Sequence, residues 1–275
     1  MLVSLKKILD MAEEGGYAIP AFNVYNTETL MGIAKAAEEA RSPVIIQLYS
    51  RLFQNEEGYY VSPSVLAAAE KLTVPVCYHI DHGANEGVVA RALRYGVSGV
   101  MIDASALDYE DNVAVTRHIV EIADAVGVET EGELGHVGSV NDNEMDAFTD
   151  PDEAADFVKR TGVSALAVMV GTAHGRYKKP PKLDLERIKA IKEKTGIPLV
   201  LHGGSGIPDD QIQAAIKNGI RKINFGTDVC FSFLDEVFAS ERNTYAIDLF
   251  MRDPVENVKK FALSKIKLLG SEGKA

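Results

Sequence analysis

The stretch Pro198-Leu199-Val200-Leu201-His202-Gly203-Gly204-Ser205-Gly206, continued by Asp209 to Asn218 and then Ile223-Asn224-Phe225-Gly226-Thr227-Asp228, decides the fold. An apolar run breaks at glycines, a segment with apolar residues three and four apart follows, and a second apolar run begins. That is a strand, a tight turn, a helix and the next strand. Outward from it the same alternation reaches both ends of the chain. The expected strands are Tyr17 to Val24, Val44 to Ser50, Val74 to Asp81, Gly99 to Ser105, Val128 to Gly135, Ala165 to Gly171, Pro198 to Gly204 and Ile223 to Asp228. Between them, Thr27 to Ala40, Asn85 to Tyr95, Asp111 to Ala125, Pro151 to Thr161, Leu183 to Thr195 and Asp209 to Asn218 carry helical period. Asn26-Thr27 and Pro151-Asp152-Glu153 read as helix starts, with a capping side chain, a first-turn proline or acids set against the helix dipole. Eight strand-then-helix units with near-continuous apolar strands predict an α/β fold closed into a parallel barrel rather than an open doubly wound sheet. The expectation is one (β/α)8 TIM-barrel domain over residues 1–275, with a C-terminal helical extension at about 245–270. Residues 253 to 269 form its amphipathic helix, and Ser271 to Ala275 reads as a frayed tail.

Composition narrows the function. Of 275 residues, 46% are hydrophobic and 25% charged, which suits a globular core and opposes disorder or coiled coil. The 29 Lys and Arg against 40 Asp and Glu leave a net charge of −11, so neither nucleic acid nor an anionic membrane surface is an expected partner. Lys6 and Lys7 stand where a signal peptide carries its charges, but Asp10, Glu13 and Glu14 interrupt the run behind them, so Met1 to Gly15 reads as a surface helix. No apolar stretch is long enough to span a bilayer. Cys77 and Cys230 lie in apolar stretches without metal or redox spacing and read as reduced thiols, which makes a cytoplasmic setting the expectation.

In such a barrel the chemistry sits at the carboxyl ends of the strands. Those positions hold His79 to Gly83, Asp103, Glu131 and Glu133, Gly171 to Gly175, His202 to Gly206, and Asn224 with Thr227 in the eighth strand. His82, His174 and His202 therefore converge on one mouth. Any one of them alone reads as a hydrogen-bonded structural histidine, but three imidazoles with an open fourth position form a catalytic zinc site. Asp81 suits a general base, or alternatively an acceptor for a histidine N–H. Asp103 and Glu133 read either as a polar network or as a second metal position. His79 packs or orients a neighbour, His118 falls on a helix surface, and His136 is open between a site-facing and a surface role. Backbone N–H groups of His202 to Gly206, with the hydroxyls of Ser205 and Thr227, match the phosphate site that barrels build after strands seven and eight.

Together Ala21-Phe22-Asn23, His79 to Gly83, Val100 to Asp103, Glu131 to Gly135, Gly171 to Gly175, Leu199 to Pro208, Lys222-Ile223-Asn224 and Gly270 to Ala275 give a near full-length resemblance. The chain resembles the zinc-dependent class II fructose-bisphosphate aldolases, tagatose-bisphosphate aldolases among them. The resemblance implies Zn²⁺ on His82, His174 and His202, with Asp103 and Glu133 at an alternative metal position and Asp81 removing the C4 hydroxyl proton. It implies that Gly175, Gly203, Ser205, Asn224 and Thr227 hold the dihydroxyacetone phosphate part, with Asn23 near the substrate. A monovalent cation near the phosphate site and a homodimer or homotetramer are further implications.

Three places depart from the pattern. Asn141 stands where relatives carry a proton-moving glutamate; an amide cannot do that work, which leaves Asp142 or Glu144 as substitutes, or slow turnover. Asp248 stands where bisphosphate aldolases place an arginine for the distal phosphate, with Arg252 four residues on. Residues 50 to 62 do not look like the family's substrate loop. The leading expectation is a ketose-phosphate aldolase that releases dihydroxyacetone phosphate and an aldehyde without a distal phosphate. A fructose or tagatose 1,6-bisphosphate aldolase, and a weakly active or non-catalytic sugar-phosphate-binding relative, are the alternatives.

Overall fold

A computed structural model describes residues 1–138, 148–175, 177, 181–241 and 245–275. Eight strands, β1 (Ile19–Asn23), β2 (Val44–Tyr49), β3 (Val76–Asp81), β4 (Gly99–Met101), β5 (Glu129–Leu134), β6 (Ala165–Val168), β7 (Leu199–Leu201) and β8 (Ile220–Phe225), close into a parallel barrel in chain order. Around and below it lie α1 (Leu5–Gly15), α2 (Thr27–Glu39), α3 (Ser50–Gln54), α4 (Glu57–Lys71), α5 (Glu86–Arg94), α6 (Tyr109–Asp124), α7 (Pro151–Thr161), α8 (Leu185–Thr195), α9 (Asp209–Lys217), α10 (Thr227–Ala239), α11 (Ile247–Phe250) and α12 (Arg252–Leu269). This is a TIM barrel with a C-terminal helical extension.

The helix starts obey their caps. The Asn26 side chain accepts from Thr29 N–H in a capping box, and Asp150 accepts from the Asp152 and Glu153 amides ahead of α7. Apolar strand residues pointing outward meet the helices in one continuous core. A second cluster fills the barrel's amino end, where Leu5, Ile8, Leu9 and Ala12 of α1 pack on Ile19, Ala21, Ile45, Cys77, Ala165, Ala167 and Val200. The N-terminal helix is thus the floor of the barrel and not only a surface element.

Three further boundaries differ from the sequence reading. Residues 50–54 and 57–62 are helical, in α3 and the start of α4. β8 begins at Ile220, and Gly226 ends it, so Thr227 is the first residue of α10 rather than part of the strand. The tail is pinned: Ser271 is buried with its hydroxyl 2.9 Å from Ser42 Oγ, and the amides of Gly273 and Ala275 donate to the carbonyls of Ala40 and Arg41. Among the described residues no helix is long and apolar enough to cross a membrane.

Candidate active site

Parallel register sets the polar layer at the mouth. Asn23 lies level with Gln47, Gln47 with His79, and Tyr49 with Asp81. Asn23 Nδ2 donates to Asp81 Oδ2 (2.7 Å), Asn224 Nδ2 donates to Asp81 Oδ1 (3.0 Å), and Gln47 Nε2 donates to Asn23 Oδ1 (3.0 Å). The Asp81 carboxylate is therefore held from two sides by amides reaching across from β1 and β8.

His82 follows β3 with φ of 51°, a left-handed backbone rare outside glycine. This turn, and not strand alternation, brings its ring to the mouth beside Asp81; His82 Nε2 lies 4.0 Å from Asp81 Oδ1. Gly83 makes the turn possible by donating its N–H to the Met101 carbonyl (3.0 Å), an approach that any Cβ would obstruct.

His82, His174 and His202 gather, with one ring nitrogen of each within 4.8 Å of the others. The closest pair is His202 Nδ1 and His82 Nε2 at 3.0 Å. His82, Asp103 and Glu133 form an overlapping second group within the same limit. His202 Nε2 donates to Glu131 Oε1 (2.9 Å), and the other oxygen of Glu131 takes a 2.8 Å bond from Lys222 Nζ. That fixes the His202 tautomer with Nδ1 facing the other imidazoles. Burial, reinforced by the charge of a neighbouring His82, pushes His174 down to about 4 and His202 well below the ordinary histidine value, so both present lone pairs at neutral pH. For His82 burial acts the same way, yet Asp81, the Asp103 hydrogen bond (2.7 Å) and Glu133 outweigh it and raise the ring to about 9. Burial and the Asp103 charge raise Glu133 to about 8. Burial also pushes Asp103 upward, but His82 and Ser105 more than reverse this and hold it below the usual carboxylate range.

The donor set fits a divalent metal. His174 Nε2 is buried without a hydrogen-bond partner, two imidazoles are neutral, and acids crowd the third where a cation is favoured.

These groups border a cavity of about 450 Å³. Asn23, Asp81, His82, Asp103, His174, Gly175, Gly203, Ser205, Asn224 and Thr227, all named from the sequence, line it. His202 and Glu133 lie just beneath, fully buried. The Ser205 hydroxyl accepts the Asp228 N–H (3.2 Å), so that side of the cavity is the N-terminus of α10. Asp248 and Arg252 sit exposed on the C-terminal extension and do not line the cavity. Asn141, Asp142 and Glu144 lie outside the described residues.

Of the other histidines, His79 is buried with Nε2 3.7 Å from Glu131, and His118 is exposed against Glu86. His136 lines the cavity, Nδ1 3.0 Å from Ser105 Oγ, which settles its open reading. Tyr25, Tyr49 and Arg51 also line the cavity; nothing in the sequence marks Tyr25 or Tyr49 as site residues, and Arg51 falls in the 50–62 stretch that reads only as unlike the family's substrate loop.

Residues 3–274 match the model of fructose-bisphosphate aldolase class-II. The chain belongs to the class II fructose-bisphosphate aldolase family. This aldolase superposes on the crystal structure of the YdjI aldolase from Escherichia coli K12 with a TM-score of 0.92, at 40% identity over all of both chains. It is 39% identical to the fructose-bisphosphate aldolase of Geobacillus stearothermophilus, over 100% of this chain and 99% of that one. It is 36% identical to the sulfofructosephosphate aldolase of Alkalicoccus urumqiensis, over 99% and 98%. The aldolase is thus an enzyme of the lyase class.

Proposed function

We propose that this enzyme is a zinc-dependent aldolase that cleaves a ketose 1-phosphate to dihydroxyacetone phosphate and an aldehyde lacking a distal phosphate. The observation that carries the reading is the meeting of three ring nitrogens within 4.8 Å beside an amide-held Asp81 carboxylate at the cavity floor. His82, His174 and His202 would hold Zn²⁺, with Asp103 and Glu133 offering the alternative position beside His82. When bound, the ion would polarise the ketose carbonyl and stabilise the negative charge left as the C3–C4 bond breaks.

The chain's own residues do the rest. Asp81 takes the C4 hydroxyl proton, and the O–H bonding pair becomes the aldehyde carbonyl as the C3–C4 bond opens. The electron pair left on C3 takes a proton from water or from a loop acid, Asp142 or Glu144, to give dihydroxyacetone phosphate. Asn23 and Asn224 keep that carboxylate aimed. Gly175, Gly203, Ser205 and Thr227 receive the C1 phosphate at the α10 N-terminus, where N–H groups and the helix dipole favour an anion. A monovalent cation beside that phosphate and a homodimeric or homotetrameric assembly belong to the same reading. The position of Asp248 and Arg252 away from the cavity supports a substrate whose far end needs neither.

The test couples dihydroxyacetone phosphate release to NADH oxidation, with fructose 1-phosphate, other ketose 1-phosphates and the 1,6-bisphosphates of fructose and tagatose, before and after chelation. Cleavage should require zinc and favour the monophosphates. Activity that survives proven removal of metal overturns the mechanism, and faster cleavage of a bisphosphate overturns the distal assignment alone.

A further inference from the structure

Arg51 is the only Lys or Arg among the described residues lining the cavity, and that cavity otherwise carries the acids Asp81 and Asp103. Its guanidinium stands 5.5 Å from the Tyr49 ring centroid and 5.8 Å from that of Tyr25. Two aromatic faces thus hold the group by cation–π attraction while leaving its in-plane N–H donors for another partner. Among the described residues it forms no ion pair. Tyr49 in turn lies 5.8 Å, ring to ring, from His82, so the cation stands one aromatic ring away from the metal-binding imidazoles.

Its place in the cavity says which part of a substrate it meets. Gly203, Ser205 and Thr227 form the wall after β7 and β8, whereas Tyr25, Tyr49 and Arg51 form the wall after β1 and β2, on the Tyr49 side of Asp81. The Tyr25 end of the second wall adjoins the first, because β8 pairs with β1 and a Gly226 Cβ would stand 3.3 Å from the Tyr25 hydroxyl. For a ketose with its C4 hydroxyl at Asp81, the part of that wall next to the carbons beyond C4 is the β2 end, Tyr49 and Arg51, where Tyr49 lies level with Asp81.

We propose that Arg51 is a specificity-determining residue that binds a singly charged oxyanion, a carboxylate or sulfonate, at the far end of the aldehyde fragment. This rests on the orientation given under Proposed function. One planar guanidinium matches such a group with paired N–H donors. A dianionic phosphate, with one Lys or Arg among the described lining residues to receive it and the acids Asp81 and Asp103 in the same cavity, is disfavoured. The choice reconciles an acidic protein, a distal wall that lacks any contribution from Arg252, and a cation that has no ion pair among the described residues.

The test measures aldol condensation of dihydroxyacetone phosphate with four matched three-carbon 2-hydroxyaldehydes: glyceraldehyde, tartronate semialdehyde, 3-sulfolactaldehyde and glyceraldehyde 3-phosphate. The wild type should favour the carboxylate or the sulfonate over neutral glyceraldehyde in kcat/KM by about tenfold, the scale of one charge-assisted contact at an exposed site. The relative values for the two anions tell which terminus is preferred. Arg51→Gln should bring that ratio near one, and Arg51→Lys should restore part of it. A wild type with no preference or with preference for the phosphate overturns the proposal, as does an Arg51→Gln enzyme whose kcat/KM falls by one factor for all four aldehydes. Calorimetric binding of fructose 1-phosphate and of its C6-carboxylate analogue reads Arg51 without turnover. Tighter binding of the acid, lost in Arg51→Gln, sustains the proposal even where absent cleavage refutes the aldolase mechanism; equal binding overturns it.

Discussion

Lys222 Nζ lies 2.8 Å from Glu131 Oε2 inside the barrel, with both side chains at 0% exposure. Glu131 passes that constraint to His202 through its other oxygen. Removing the lysine leaves a carboxylate buried without its counter-charge. Lys222→Met should therefore cost about 3–5 kcal/mol in urea unfolding of the chelated protein. Zinc affinity, read by competition with a chromophoric chelator, should fall roughly 10- to 100-fold as Glu131, the orienter of His202, loses the cation that holds it in place. The double variant with Glu131→Gln should regain stability relative to Lys222→Met. A single variant as stable as wild type would show that the pair carries no such role.

Among the described residues Asp81 meets Asn23 and Asn224 but no cation within ion-pair distance other than the His82 ring. Asp81→Ala should lower cleavage by roughly 10²- to 10⁴-fold, the usual worth of a positioned base. Dihydroxyacetone phosphate has no C4 hydroxyl, so deuterium exchange into that product should fall far less. Equal loss of both activities would assign Asp81 to holding the site together instead.

The buried histidines set a pH dependence in the metal-free protein. Burial, with Lys222 adding to it, pushes His79 down to about 3, and burial pushes His174 to about 4. Below the unfolded value of about 6.5 the unfolded chain takes these protons and the folded chain does not, so stability falls as pH drops toward those values. His82 runs the other way: raised to about 9, its contribution is complete below about 6.5 and is lost as pH rises through 9. The urea midpoint of chelated protein should peak near neutrality, and His79→Gln should flatten the acid limb. An unchanged acid slope in that variant would assign the loss to other groups.

The pinned tail gives a simpler measurement. Deleting residues 271–275 removes the Ser271–Ser42 hydroxyl pair and two backbone bonds onto Ala40 and Arg41. The expected destabilisation is about 1–3 kcal/mol by urea titration, from a few net hydrogen bonds of ordinary strength. A truncated chain with the wild-type midpoint would return the tail to the frayed state expected of a chain end.

These residues also show what a sequence can disclose. The barrel was legible because short, near-continuous apolar runs alternate with segments of period 3.6, and His82, His174 and His202 were legible because each abuts a glycine at a strand end. Thr227 was misplaced by a strand-to-helix change at Gly226 that periodicity cannot locate to a residue. The floor role of α1 and the anchoring of Ser271 depend on partners far away in the chain. Arg51 was hidden for a related reason: Tyr49 stands two residues before it, but only folding brings Tyr25 of another strand end against it and turns both toward the cavity.

Gly203 links the two loops that carry His174 and His202. Its φ is +64°, and a Cβ there would overlap the Ala173 carbonyl oxygen. The same loops are stapled by Tyr177, whose hydroxyl accepts from Ala173 N–H (2.8 Å) and donates to the Gly203 carbonyl (3.1 Å). Gly203→Ala should cost about 1–2 kcal/mol from the left-handed backbone alone. The overlap adds displacement of one loop from the other, and each loop carries an imidazole on the adjoining residue. Weaker zinc binding and a higher KM for the ketose phosphate should therefore appear together, whereas Tyr177→Phe, which removes only the staple, should shift both less. A Gly203→Ala enzyme that is less stable yet binds zinc as before would show that the loops tolerate the displacement and that Gly203 serves the turn only.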